Sequence, residues 1–374
     1  MFKARERHFA QVLSTHLAGR MRRFLDIDAC APKEMPCGLC VNFPPNANLE
    51  ACGIYEDMLE GVLQGILQEL ERVQGSAWQW VMIRGESAGR LSLEQVQRLI
   101  RALDAPAQCV ISMQIHADYI ENGMLAGLRM LSVQRVILLC TVHSDLEKIS
   151  ALLGSAKGLS LPVSVMIHSQ VRDRKHFIRA VQRLQESVPW HIMLWPDLEN
   201  EEEFAPRIQV ENAQRIEDAA QVLQSEGWTR KDLWNFTRED LEVPYDFLKM
   251  WMQDSYYGVG PSALSWYDGQ KLIGCDLHEY LKPSHNTQRQ VSNYRPDDVQ
   301  WFQLARQLYE RRFTPRMLAV IPRDASAAIN RIGITDGKGD LTAQGILFFQ
   351  IVGIQVFSNM FFERAMPQES RDKL

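Results

Sequence analysis

The sequence predicts an α/β protein built on a parallel sheet that forms a barrel or partial barrel. Short apolar segments alternate with amphipathic helical patterns about six times along the chain. The apolar segments are almost continuously hydrophobic, as expected for parallel strands that are buried on both faces. Six strand–helix units are too many for a small insertion, so functional side chains are expected at the carboxyl ends of the strands.

The predicted elements follow one another in a regular order. An amphipathic helix over residues 2–25 comes first and is followed by a proline-containing loop. The predicted strands cover residues 40–43, 78–83, 109–113, 135–140, 162–167 and 190–195, and the helical patterns lie near 54–74, 92–103, 117–131, 143–154, 173–187 and 211–226. Residues 44–53, between the first strand and the first long helix, read as a loop.

The pattern changes after Gly227, which indicates that the regular alternation of strands and helices ends there. Residues 254–274 are rich in Tyr and Gly and predict loop and short strand, and helical patterns resume from about Pro296 to residue 361. The expected organisation is an N-terminal helix and loop (1–37), a barrel with its extension (38–283) and a mostly helical C-terminal domain (284–374).

Composition restricts the classes of function. The chain has 374 residues, of which 46% are hydrophobic and 23% charged, as in a folded globular protein. A formal net charge of −5 disfavours nucleic acid as the main partner. There is no uninterrupted apolar run of about 18 residues and no signal-peptide pattern, so we expect no membrane span and a cytoplasmic location.

Seven cysteines are an odd number, which argues against a disulfide framework. Cys30, Cys37 and Cys40 could hold a metal or a cluster with unusual spacing. Against that interpretation, Cys40 fits the first strand itself, and a single Cys-x-x-Cys without a second one is a weak metal signal. These three residues are therefore kept as an alternative metal site.

A glycine-rich segment gives the first resemblance to a known family. Residues 256–269, Tyr-Tyr-Gly-Val-Gly-Pro-Ser-Ala-Leu-Ser-Trp-Tyr-Asp-Gly, resemble the "GIGPGAHSYxxG" segment of the oxygen-independent coproporphyrinogen III oxidases and their haem-chaperone relatives. Other segments agree in order: 39–44 with "YIHIP", 80–89 with "FxGGGTPS", 135 onward with "RxSxGVQS", 232–237 with "EISNFA" and 341–345 with "LTxxG". The similarity extends over residues 38–362.

The resemblance implies a radical S-adenosylmethionine (SAM) fold, an incomplete TIM-like (β/α)6 barrel. In that family, three cysteines spaced CxxxCxxC after the first strand bind a [4Fe–4S] cluster, whose remaining iron chelates SAM. The strand match places these ligands at Asn46, Glu50 and Gly53, none of which is a thiol. Cys52 is one residue out of register and alone. The cluster motif is therefore degenerate.

The positions that contact SAM in the family also differ here. Arg84 and Glu86 flank a single glycine where the family has a glycine-rich turn, and they form either a partial acidic SAM-binding turn or a surface pair. The family's remaining polar positions match Gln114, Thr141, Val165 and Leu264. So many changes together indicate that this site no longer performs the chemistry of the family.

Histidines and aromatic residues offer a different ligand. His116, His143 and His168 lie near predicted strand ends, and imidazole is a common axial ligand of haem iron. Tyr256 belongs to an aromatic-rich stretch that could face a planar macrocycle, and Gly258 and Gly260 allow close backbone approach. Each could equally serve packing.

The sequence thus predicts a degenerate radical-SAM-type barrel, a pseudoenzyme that binds a tetrapyrrole such as haem or serves as partner or scaffold for another protein. The candidate binding residues are His116, His143, His168, Arg84, Glu86, Tyr256, Gly258 and Gly260. The alternative is a divergent enzyme that uses a [4Fe–4S] cluster and SAM with Cys30, Cys37 and Cys40 as non-standard ligands. No nucleic acid is expected in either case.

Overall fold

A computed structural model describes most of the predicted barrel. The described residues are 37–73, 78–121, 123–141, 143–169, 174–187, 189–196, 206–238, 255–267, 270–282 and 290–293. The predicted N-terminal helix and Cys30 lie outside these residues, as does the predicted C-terminal domain apart from residues 290–293.

Six parallel strands follow each other in chain order and pair as neighbours, as predicted. They are β1 (Gly38–Asn42), β2 (Trp80–Arg84), β3 (Val110–His116), β4 (Arg135–Cys140), β5 (Val163–Ser169) and β6 (His191–Pro196). Because β-strands joined by helical crossovers run in the same direction, all six carboxyl ends lie at one edge of the sheet. We call this edge the mouth.

The connecting helices are α1 (Asn46–Cys52), α2 (Tyr55–Arg72), α3 (Leu93–Leu103), α4 (Met124–Met130), α5 (Leu146–Gly158), α6 (Arg174–Glu186) and α7 (Pro206–Ser225). Two predictions were wrong in detail. Residues 46–52, predicted as loop, form α1. The helix predicted over 117–131 is split into a 3-10 turn, Ala117–Tyr119, and α4, with Gly123 in a left-handed conformation between them.

Further strands extend the sheet on both sides. β7 (Thr229–Arg230) and β8 (Asn235–Thr237) follow α7, and β8 pairs antiparallel with β6. β9 (Tyr256–Val259) pairs parallel with β1, and β10 (Leu264–Tyr267), β11 (Gln270–Ile273) and β12 (Gln290–Asn293) continue antiparallel from it. A short helix, α8, spans Leu277–Tyr280. The segment predicted as loop and short strand therefore supplies three strands.

The two faces of the parallel sheet differ in chemistry. One face is apolar and fully buried; its members include Leu39, Val81, Leu138, Val165 and Leu194. We call it the outer face, because helices cover that side of a (β/α) barrel. The inner face carries Cys40, Met82, Ser112, Ser164, Met166 and Met193, which are also buried. Near the mouth it carries the partly exposed Asn42, Arg84, Gln114, His116 and His168.

A buried polar network fastens β8 to β6. His191 Nε2 lies 2.6 Å from Asn235 Oδ1, and the Asn235 amide donates to both oxygens of Asp232 at 3.0 and 2.8 Å. Because the Asn235 Nδ2 group donates to Asp232, its oxygen accepts and His191 Nε2 donates. Burial lowers the pKa of His191 to about 4; the bond to Asn235 opposes this and the nearby Arg135 charge reinforces it.

Candidate functional site

The mouth is lined by polar residues from the ends of β1, β2, β3 and β5. Asn42 and Arg84 are register partners on β1 and β2 and lie on the same face as Gln114 on β3. The Asn42 amide donates to the Pro261 carbonyl at 2.8 Å, which ties β1 to the glycine-rich turn after β9. This turn requires Gly260, because its φ is +101° and a Cβ would lie 2.2 Å from the Asn42 carbonyl oxygen.

Among the described residues, the most extensive polar network at the mouth is centred on Asn46, the first residue of α1. Its backbone N–H donates to Glu86 Oε2 and its amide to Glu86 Oε1, both at 3.0 Å. The same amide group lies 3.0 Å from the Tyr119 hydroxyl, which also donates to Glu86 Oε1 at 3.1 Å. The preceding residue, Pro45, makes no side-chain cap, so the Glu86 carboxylate satisfies the first N–H of the helix.

Two tyrosines complete the Asn46 network. The Tyr55 hydroxyl donates to Asn46 Oδ1 at 2.6 Å. Burial raises the pKa of Tyr55 to about 12, so this hydroxyl stays protonated at neutral pH. The Arg90 guanidinium lies 3.8 Å from the centre of the Tyr119 ring, which holds that ring beside Glu86. Asn46 is thus buried with its amide oxygen and nitrogen both bonded.

The residues after β1 do not fit an iron–sulfur cluster. Of the three positions that match the cluster ligands, Asn46 is engaged by Glu86, Glu50 is exposed and Gly53 has no side chain. Carboxamide and carboxylate groups are poor substitutes for the soft thiolates that hold such clusters. The structure shows no group of three or more His, Cys, Asp or Glu side chains that could hold a metal ion within the residues it describes.

The described cysteines in and next to β1 do not converge at the mouth: Cys37 precedes β1, at the amino-terminal end of the sheet. The Cys37 thiol donates to the Ser255 carbonyl at 3.2 Å. Cys40 lies inside β1, where burial raises the pKa of its thiol, although the nearby Arg84 charge opposes this. Cys52 is exposed at the last turn of α1. The alternative metal site of Cys30, Cys37 and Cys40 remains untested, because Cys30 lies outside the described residues.

Gly85 keeps the turn after β2 close to β1. Its φ is +103°, and a Cβ there would lie 1.9 Å from the Phe43 carbonyl oxygen. The Ser87 hydroxyl and backbone N–H both donate to the Pro44 carbonyl, at 2.6 and 3.3 Å. This turn is therefore packed against the chain's own backbone.

One position matched to SAM binding is corrected by the structure. Val165 lies on the outer face, where it pairs with Leu138 and Ile192, and so cannot face the mouth. The neighbouring inner-face residue is Met166, whose sulfur lies 3.9 Å from the Gln114 amide nitrogen. A residue on the outer face cannot line the mouth, since successive residues of a strand point to opposite faces.

The predicted histidines are placed differently from one another. His116 ends β3, and its Nδ1 lies 3.4 Å from Asp118 Oδ2. His143 is exposed in the turn after β4. His168 lies on the inner face near the end of β5, with its ring 6.5 Å from that of Trp195, which in turn lies 5.8 Å from Trp234. Only His168 of the three lies beside a buried aromatic cluster.

The glycine-rich candidates spread over the length of β9. Tyr256 pairs with Gly38 at the amino-terminal end of the sheet and contacts Trp80, so it lies away from the mouth. Gly258 is beside Cys40 in mid-strand, and Gly260 lies at the mouth.

Tyr55 and Tyr119 were not predicted as site residues. The available signal was positional: Tyr119 follows β3 directly, and Tyr55 begins the helix after the cluster-equivalent segment. Both therefore lie where a (β/α) fold places its functional side chains.

The structure contains no helix, among the described residues, that is long and apolar enough to cross a membrane. No protein-family model matches the sequence, and no curated protein matches it significantly.

Comparison with solved structures identifies the fold. Coproporphyrinogen III oxidase from Escherichia coli, a radical SAM enzyme, aligns with a TM-score of 0.63 and 16% identity over 91% of this chain and 93% of that one. A mandelate racemase from Rhodobacter sphaeroides (TM-score 0.29, 14% identity, 58% and 51% coverage) and a dihydrodipicolinate synthase family protein from Coccidioides immitis (0.23, 11%, 53% and 77%) show only a distant likeness. The chain therefore has the radical SAM-type fold of coproporphyrinogen III oxidase, as its sequence motifs predicted.

Proposed function

We propose that this chain is a non-catalytic protein of the radical SAM fold whose mouth binds a tetrapyrrole, with haem as the first ligand to test. The observation that carries the proposal is the Asn46–Glu86 network. The residue at the first cluster-ligand position is buried, and its polar atoms are bonded to Glu86, Tyr119 and Tyr55. Such a position stabilises the fold and supplies no thiolate.

The choice of a tetrapyrrole rests on the mouth and on the structural relative. That relative is named for its action on coproporphyrinogen III, a tetrapyrrole. In this chain, His168 lies on the inner face with Trp195 beside it and Trp234 behind it. An imidazole can ligate haem iron, and aromatic rings suit the face of a macrocycle.

Haemin titration of the full-length protein tests this proposal. We expect a saturable Soret shift at one haemin per chain. His168→Ala should weaken binding by about a hundredfold, since the lost bond is an axial ligand. The matched control is His278→Ala, because His278 is an exposed histidine on α8, outside the mouth.

Absence of a saturable Soret shift would reject the tetrapyrrole and leave the scaffold or partner role. Equal loss of binding in His278→Ala would show that the haemin binds non-specifically.

A further inference from the structure

The outer side of α6 carries an unusual concentration of positive charge. Its apolar side chains Phe177, Ala180, Val181 and Leu184 are buried against the sheet. Its exposed side chains include Lys175, Arg179 and Arg183, which follow each other at four-residue intervals. Residues at this spacing lie on one side of a helix about 6 Å apart, so the three cations form a row about 12 Å long. We call it the basic row.

Among the described residues, few carboxylates neutralise the basic row. Arg183 is 3.6 Å from Glu186 in an exposed pair, which is a weak interaction. Asp218 on α7 pairs with Arg174 at 2.5 Å, beside the row and not on it. Within the described residues, Lys175 and Arg179 have no carboxylate partner. The chain as a whole is acidic, with a formal charge of −5, so the sign of the row is opposite to the net charge of the protein.

The charges in the first turn of α6 are unfavourable for the helix, whereas Arg183, in the last turn, is favourably placed. The first turn of α6 holds Arg174 and Lys175 and no acidic residue, although the positive end of the helix dipole favours acidic residues there. Like charges four residues apart also repel each other. In the part of the chain that the structure describes, only the pairs with Asp218 and Glu186 offset this arrangement, which indicates a functional surface.

We propose that the basic row binds an acidic helix of a partner protein. A helix with three carboxylates at four-residue spacing matches the row in period and length. Proteins that bind duplex nucleic acid commonly contact about six or more phosphates, which exceeds this row. Attachment to a membrane surface uses about four to eight basic residues or exposed apolar side chains, and the apolar side of α6 is buried in the core.

The test uses full-length protein and a labelled, alanine-rich helical peptide of about 18 residues with three glutamates at four-residue spacing. The control peptide has glutamine at those positions. We expect binding by fluorescence anisotropy that weakens as salt is raised, and a loss of about tenfold or more in the double variant Lys175→Glu and Arg179→Glu. The matched control, Arg101→Glu with Lys157→Glu, changes two exposed cations on other helices and should bind within about twofold of the parent.

The variant should remain folded, because a glutamate in the first turn of a helix is favourable. Its thermal midpoint should equal or exceed that of the parent, so loss of binding cannot be attributed to unfolding. Equal binding of the glutamine peptide, or equal loss in the control variant, would overturn the proposal. Tighter binding of a DNA duplex or of phosphatidylserine vesicles through the same two residues would also overturn it.

Discussion

Gly85→Ala is expected to lower the free energy of unfolding by about 4 kcal/mol. Gly85 has φ +103° and ψ 153°, a region that residues with a side chain rarely adopt, and an added Cβ would lie 1.9 Å from the Phe43 carbonyl oxygen. Neither strand end can move easily, because Phe43 N donates to the Arg84 carbonyl at 2.8 Å. Denaturant unfolding of purified variant and parent measures the difference.

Gly123→Ala is the matched control. Gly123 also has a positive φ, +84°, but nothing lies within 4 Å of an added Cβ. Its substitution should cost about 1 kcal/mol through backbone strain alone. If Gly85→Ala lowers the free energy of unfolding no more than Gly123→Ala does, β1 does not pack tightly against the turn after β2. A large cost would show that this glycine is needed for the fold, whatever ligand the mouth takes.

Acidification from pH 6.5 to about 4 is expected to remove about 3 kcal/mol of stability through His191. Above pH 6.5 the imidazole is neutral in both the folded and the unfolded chain and contributes no pH dependence. Below it, the unfolded imidazole gains a proton that the folded one, with its pKa lowered to about 4, does not. The unfolded state therefore binds more protons, and stability falls as the pH falls, by at most about 1.4 kcal/mol per unit.

The readout is the slope of unfolding free energy against pH, compared with that of His191→Gln. That variant should be less stable at pH 7.5, because the bond to Asn235 is altered, but its slope between pH 6.5 and 4 should be shallower. His278→Gln, at an exposed histidine, should keep the parental slope. Parallel slopes for all three proteins would contradict a neutral buried imidazole.

Much of the fold could be predicted from the sequence. The six parallel strands give a clear signal, because their buried positions are nearly continuous apolar runs. The glycine-rich segment at 256–269 pointed to the right fold, and the structural comparison confirmed it. Residues 46–52 were misread because α1 is short and its first N–H donates to the Glu86 carboxylate, forty residues further along the chain. Local sequence patterns cannot reveal a hydrogen-bond partner that is so distant along the chain.

The candidate site was less predictable than the fold. The sequence shows that position 46 carries an asparagine and not a cysteine. It does not show that Asn46 is buried and bonded to Glu86, Tyr119 and Tyr55. Motif matching also assigned Val165 to the mouth, since a match by similarity does not fix which face of a strand a residue occupies. The geometry separates His168 from His116 and His143, which the sequence treated alike.

Anaerobic reconstitution of the full-length protein with iron and sulfide tests the central claim most directly. The account predicts that gel-filtered protein retains far less than one cluster of iron and acid-labile sulfide per chain and shows no charge-transfer absorbance. A stoichiometric [4Fe–4S] cluster that is lost in Cys30→Ala, Cys37→Ala or Cys40→Ala would contradict it and establish the divergent SAM-dependent enzyme instead.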